Sequence, residues 1–155
     1  MGRLRRLRYA LVIILLADVG VLVYGAMAAV APSALIPGYE SYSSRTWLEL
    51  VAADTQTAAF VLLLFWLLGA YNVAFAVLAI AIAATAFRRG EGWAWWALLA
   101  GNTLGFGAPM VYDQIVGEIG VFEMLEFVGI AAIYAALAAT VPAGRSRRPP
   151  DLVHR

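Results

Sequence analysis

The stretch "TQTAAFVLLLFWLLGAYNVAFAVLAIAIAATAF", residues 55–87, carries neither a charge nor a proline from end to end. At 1.5 Å per residue it makes a helix about 50 Å long. A hydrocarbon core of about 30 Å is crossed by about 20 apolar residues, so the stretch predicts a membrane-crossing helix that tilts, bends or protrudes. Asp54 stands just ahead of it and is a good N-cap, because its carboxylate can accept the free N–H groups of a first turn.

The rest of the chain is of the same kind. Of its 155 residues 63% are hydrophobic, where a soluble globular domain has roughly 45–50%. No polar linker divides the chain, so residues 1–155 read as a single domain. Three more segments, 9–31, 93–112 and 119–141, are apolar and long enough to cross a bilayer. Only "RRGEG" at 88–92 and "DQIVGE" at 113–118 connect the last three, and links that short force antiparallel neighbours. The expected fold is therefore an all-α, four-helix transmembrane bundle. The first segment, with its arginines and "AMAAVAPSA", also has the ingredients of a cleaved signal peptide. Its apolar run exceeds the usual 7–15 residues, however, and Asp18 interrupts it.

Arginines orient the spans, because basic residues next to a span stay cytoplasmic. Arg3, Arg5, Arg6 and Arg8, the pair Arg88 and Arg89, and the tail residues Arg145, Arg147, Arg148 and Arg155 fall on one side of a four-crossing path, and Arg45 on the other. Both termini are thus expected inside. All 11 basic residues are Arg, which with the abundant alanine suits a GC-rich bacterial source and a place in the bacterial cytoplasmic membrane. Residues 32–53 form the one long outer loop, where Trp47, Leu48, Leu50 and Val51 predict a short interfacial helix and Arg45 and Glu49 an i, i+4 pair. Such a loop caps the bundle or acts as a lid. Residues 142–155 read as a flexible basic tail. Tyr9, Trp93, Trp95, Trp96 and Tyr112 lie near span ends, where aromatic side chains anchor helices at the interface.

Polar residues inside the spans are the candidates for function. A charge at the bilayer centre costs at least about 2.5–3.5 kcal/mol, so such residues face the bundle interior or water. Counted along the helices, Asp18 and Asn102 come near the midplane, while Tyr24, Asn72, Glu123 and Glu126 come nearer the outer face. Glu123 and Glu126 share one helix face by their i, i+3 spacing. The expected ligand-binding set is Tyr24, Asn72, Asn102, Glu123 and Glu126, with Asp18 and Glu126 as general acids if the protein is an enzyme. In the structural alternative, Asn72 and Asn102 bond neighbouring helices, each contact contributing about 1 kcal/mol or less. Gly101 and Gly105 form a G-x-x-x-G spacing that admits a close helix, and Gly107 with Pro109 predicts a kinked or unwound outer end.

Much chemistry is excluded. With no cysteine and the single histidine, His154, in the tail, there is no thiol, haem or histidine metal chemistry. The sequence calls for no metal and no cofactor. "GNTLGFG" follows no strand, no phosphate-loop pattern exists, and nucleic acid is not an expected partner.

The segments "LLGAYNVAFAVLAIAIAATA" and "FRRGEGWAWWALL" resemble small uncharacterised four-helix bacterial integral membrane proteins and are distantly similar to the DoxX-like class. The resemblance implies a four-helix bundle and no particular activity. A further analogy, to four-helix sterol isomerases with acids in a lipid-facing pocket, is weakened by the lack of a membrane histidine.

Three functional expectations follow. The first is a multi-pass membrane protein without covalent chemistry, binding a small amphipathic or cationic ligand or a membrane partner through an outer-facing acidic pocket. Its partners are membrane lipid and either a second copy of itself or another membrane subunit. The second is an integral-membrane isomerase, cyclase or epoxide-opening enzyme on a lipophilic, isoprenoid-like substrate, with Asp18 or Glu126 as general acid. The third is a proton- or cation-coupled exporter working as a dimer.

Overall fold

A computed structural model describes residues 2–117 and 121–142, and among them it is all-helical. Six α-helices follow one another: α1 (Arg3–Val30), α2 (Ile36–Ser43), α3 (Trp47–Ala53), α4 (Thr55–Ile82), α5 (Gly92–Val116) and α6 (Val121–Ala138). A single 3-10 turn, Pro32–Leu35, precedes α2, and a π-helical turn, Ala83–Phe87, ends α4. Two stretches, Leu4–Val30 and Thr55–Phe87, are long and apolar enough to cross a membrane, while Met124–Ala138 is a shorter apolar helix.

Each boundary has a local cause. Asp54 caps α4 as expected, its Oδ1 accepting from the backbone N–H groups of Gln56 and Thr57. At the other end Thr85 donates to the Ala81 carbonyl, a back-bond that loosens the ladder. The Arg88 N–H then reaches back five residues to Ala83. Gly90, at φ +76°, reverses the chain. Beyond it Glu91 accepts from Arg89 Nε and Trp93 Nε1, both at 2.6 Å.

The four long helices pack in the cyclic order α1, α4, α5, α6, with α6 closing back onto α1. Helix α1 lies along α4 over the most extensive contact of the bundle. Their closest approach is at Gly25 and Gly69. A Cβ on Gly25 would stand 2.8 Å from the Val73 nitrogen, and one on Gly69 2.7 Å from the Gly25 carbonyl oxygen. Backbone meets backbone there, and no side chain can intervene. The core, built from Ile14, Ala79, Ala83, Phe87, Leu98, Ile133 and Leu137, lies toward the arginine-bearing end. Outside it the helices stay apolar: Leu16, Phe60, Leu63, Trp66, Leu78 and Val128 are exposed.

Several sequence-based expectations need correction. Helix α1 starts at Arg3 and not residue 9, because the arginines themselves extend the helix, and α5 runs on to Val116. Pro109 sits inside α5, whose backbone stays helical past it and stops at Gly117, φ +78°, so no unwound end forms. Gly101 and Gly105 do not admit a helix backbone. They accept the ring of Phe75, whose Cζ would lie 2.7 Å from a Cβ on Gly105. Residues 32–53 hold two short helices and a 3-10 turn where one short helix was expected, and Glu49 completes a capping box with Thr46 in place of pairing with Arg45. Trp95 is buried and donates to the Leu137 carbonyl at 2.8 Å, an oxygen in the last turn of α6 that also accepts from the backbone N–H of Thr140 at 3.0 Å. The other four aromatic residues at span ends are exposed. The basic tail with His154, and residue 118, lie outside the described residues.

Two outcomes follow. Gly69→Ala should lower the unfolding midpoint in detergent by the equivalent of about 1–3 kcal/mol, as overpacking does, while Gly107→Ala, whose Cβ meets open space, should not. Equal effects would contradict the crossing. The bonds from Arg89 and then Trp93 hold the Glu91 carboxyl below the ordinary 4.5. The stability they confer is therefore complete above that value and lost as pH falls through the lower folded value. A carbon-detected NMR titration of Glu91 should place its midpoint under 4.5, and a midpoint at or above it would contradict this reading.

Candidate functional site

Each long helix turns one stripe toward the core, and in three of them a polar residue occupies a position on it. On α1 the stripe runs Ala10, Ile14, Asp18; on α5 it runs Leu98, Asn102, Phe106; on α6 it runs Glu126, Ile130, Ile133, Leu137, the apolar members all buried. These are i, i+3 and i, i+4 spacings, so the polar residues face inward for the same geometric reason as their apolar neighbours. Asp18 and Asn102 are both completely buried.

Helix registers set their heights. Gly25 faces Gly69, Asn72 and Val73 across the antiparallel α1 and α4, which puts Asp18 opposite the region of Ala76 and Ala79. Phe75, Leu78 and Ala79 line a small crevice of about 180 Å³ together with Leu98, Gly101 and Asn102. Asp18 and Asn102 therefore share one level, walled by alanine on α4. The other expected residues stand toward the opposite end from the arginines. Asn72 and Tyr24 are half-buried near the glycine crossing. Tyr134 bonds Thr103 at 2.9 Å, which fixes α6 against α5, and Glu126 lies eight residues further out, about 12 Å along the axis. Glu126 is half-buried as well. The side chain of Glu123 lies outside the described residues.

Electrostatically the shared level is lopsided. Neither oxygen of Asp18 has a hydrogen-bond partner, and neither does Asn102 Oδ1. Asn102 spends its amide on its own helix, Nδ2 donating to the Leu98 carbonyl at 3.0 Å. The expectation that Asn102 ties neighbouring helices together is thus wrong, because an i−4 carbonyl is nearer than any other helix. Nor does Asp18 bond Asn102, Tyr24 or Glu126, the partners its position suggested. Three buried acceptor atoms face the interior without a donor. What such an arrangement can do is receive one: a proton, an ammonium or a hydroxyl group. Among the described residues no cluster of three or more His, Asp or Glu side chains is arranged to hold a metal ion.

The sequence reading missed the crevice between α4 and α5, whose apolar walls end at Asn102. Phe75 and Gly101 at matched heights were the available signal. It also missed a larger cleft, about 540 Å³, at the arginine-bearing end.

No family model, no curated protein and no solved structure matches the chain. The likeness to DoxX-like proteins accordingly gains no support from these comparisons.

A buried acceptor left without a donor costs about 1–3 kcal/mol. Asp18→Leu should therefore raise the unfolding midpoint of the purified protein by that order, and a clear loss of stability would show that Asp18 has a structural partner after all.

Proposed function

We propose that the chain is a four-span protein of the bacterial cytoplasmic membrane, with both termini inside, that binds a small amphipathic ligand with a cationic or hydrogen-bond-donating head and performs no covalent chemistry. The ligand enters from the outer side, past Tyr24, Asn72 and Glu126, and delivers its head to Asp18 and Asn102. One observation carries this reading: a fully buried carboxyl whose two oxygens lack a donor. Natural proteins keep destabilising groups of that kind where activity needs them.

The membrane setting rests on exposure. Only 22% of the most apolar window of α1 and 11% of that of α4 is buried by the rest of the protein. A helix apolar all round is a core helix or a membrane span, and helices so little covered by protein are not core helices. Lipid supplies the missing cover. Arginines at the ends of α1, α4 and the tail then fix the cytoplasmic side by the positive-inside rule, and α5 and α6 complete the four crossings. Assembly with a second copy or another subunit is compatible with the exposed apolar faces.

Binding fits the geometry better than catalysis by two acids. Asp18 is level with Asn102, whereas Glu126 stands roughly 12 Å further out, so the two carboxyls meet different parts of a ligand and not one scissile bond.

Topology is read first: the chain lacks cysteine, so single cysteines at Ser44 and at the exposed Gly2, where a Cβ meets open space, report sides cleanly. A membrane-impermeant maleimide added to intact cells should label the first and spare the second. Binding is then measured by calorimetry in detergent with dodecylamine as the probe. Saturable binding should weaken on the order of thirtyfold in Asp18→Asn, the scale for removing one partner of a buried charged contact. Binding indifferent to Asp18, or none in a correctly oriented protein, would overturn the proposal.

A further inference from the structure

The larger cleft lies at the arginine-bearing end, away from the polar layer, between the start of α1, the α4–α5 turn and the end of α6. Its floor is apolar, from the buried Phe87 and Trp95 and the half-buried Leu7, and Arg6 and Arg89 also line it. Two helices begin at this end and two finish there, so their macrodipoles largely offset. The side chains decide the sign. Residues 1–8 and 88–91 hold six arginines against the single acid Glu91.

Glu91 is already committed. Its Oε1 takes Arg89 Nε and its Oε2 takes the Trp93 indole, both at 2.6 Å. This contact, at Nε, braces the Arg89 guanidinium with one of its five donors. Arg6 makes no ion pair among the described residues. The result is a pair of guanidinium groups above an apolar floor, and guanidinium matches phosphate geometry with two parallel hydrogen bonds.

From this we infer that the cleft binds the phosphate-bearing headgroup of an anionic phospholipid, with Arg6 and Arg89 on the phosphate and the first part of the lipid's chains against Leu7, Phe87 and Trp95. Basic pockets between helix ends on the cytoplasmic side are suited to such headgroups. The inference rests on the proposed membrane topology in requiring this end to meet a headgroup layer. The maleimide labelling described above tests that topology separately, so failure of either is distinguishable.

The experiment is native mass spectrometry of the full chain released from mild detergent, supplied with phosphatidylglycerol, phosphatidylcholine or inorganic phosphate. The protein should retain phosphatidylglycerol in preference to phosphatidylcholine. Retention should fall about fivefold for each arginine neutralised in Arg6→Gln and Arg89→Gln, and Arg45→Gln should leave it unchanged. Arg6→Lys, which keeps the charge, should lose less than Arg6→Gln and guards against a folding defect. Equal retention of the two lipids, equal loss in Arg45→Gln, or full displacement of lipid by millimolar inorganic phosphate would overturn the inference.

Discussion

Helices α1 and α4 touch through backbone at Gly25 and Gly69, and the remainder of the bundle is arranged around that contact. Hydrophobic segregation does not draw helices together in lipid, so association relies on close packing and interhelical contacts. A side chain at either glycine would push the helices apart and remove the shallow alanine wall of Ala76, Ala79 and Ala83. That wall leaves room in the interior for the side chains of α5 and α6. Because the crossing also sets the register, it is what brings Asp18 to the height of Asn102.

The site is defined by what this packing leaves unpaired. Deep in an apolar bundle a carboxyl without a donor is expensive, and α5 supplies none, since the Asn102 amide is satisfied by its own helix. A stabilising sequence would place leucine at both positions. Keeping two acceptors together instead gives the interior a preference for a donor, with the half-buried Tyr24, Asn72 and Glu126 further from the arginine-bearing end. The arginine-bearing end has the opposite electrostatic character, with six arginines in residues 1–8 and 88–91 against the single acid Glu91.

How much of this was legible in the sequence varied with the range of the interaction. The extent of the 55–87 helix and its Asp54 cap were plain, because apolar length and a capping carboxylate are local properties. The levels of Asp18 and Asn102 also emerged from counting residues along helices, an argument the observed registers reproduce. Pairings between helices were not readable. Gly101 and Gly105 have a spacing associated with helix contact, yet an aromatic ring from α4 fills the space, and the true crossing uses single glycines on two helices that no repeat announces. Trp95 was read as an anchor from its place near a span end, but helix phase turns it inward to the Leu137 carbonyl. Pro109 failed to break α5 because the helix accommodates it near its final turns. Side-chain partners are a tertiary property, and the absence of one at Asp18 was the hardest feature to foresee.

The central claim is that Asp18 sits in the closed interior of a membrane-embedded bundle, level with Asn102 and without a protein donor. Solid-state NMR of protein labelled at these two residues, reconstituted in lipid bilayers, tests it directly. The account predicts an Asp18 carboxyl carbon that receives polarisation from bulk water slowly, shows no hydrogen-bond coupling to the protein, and lies within about one helical turn of axial offset from the Asn102 amide, on the order of 5 Å. An Asp18 carboxyl in rapid exchange with bulk water, or coupled to a donor of the protein itself, would contradict it.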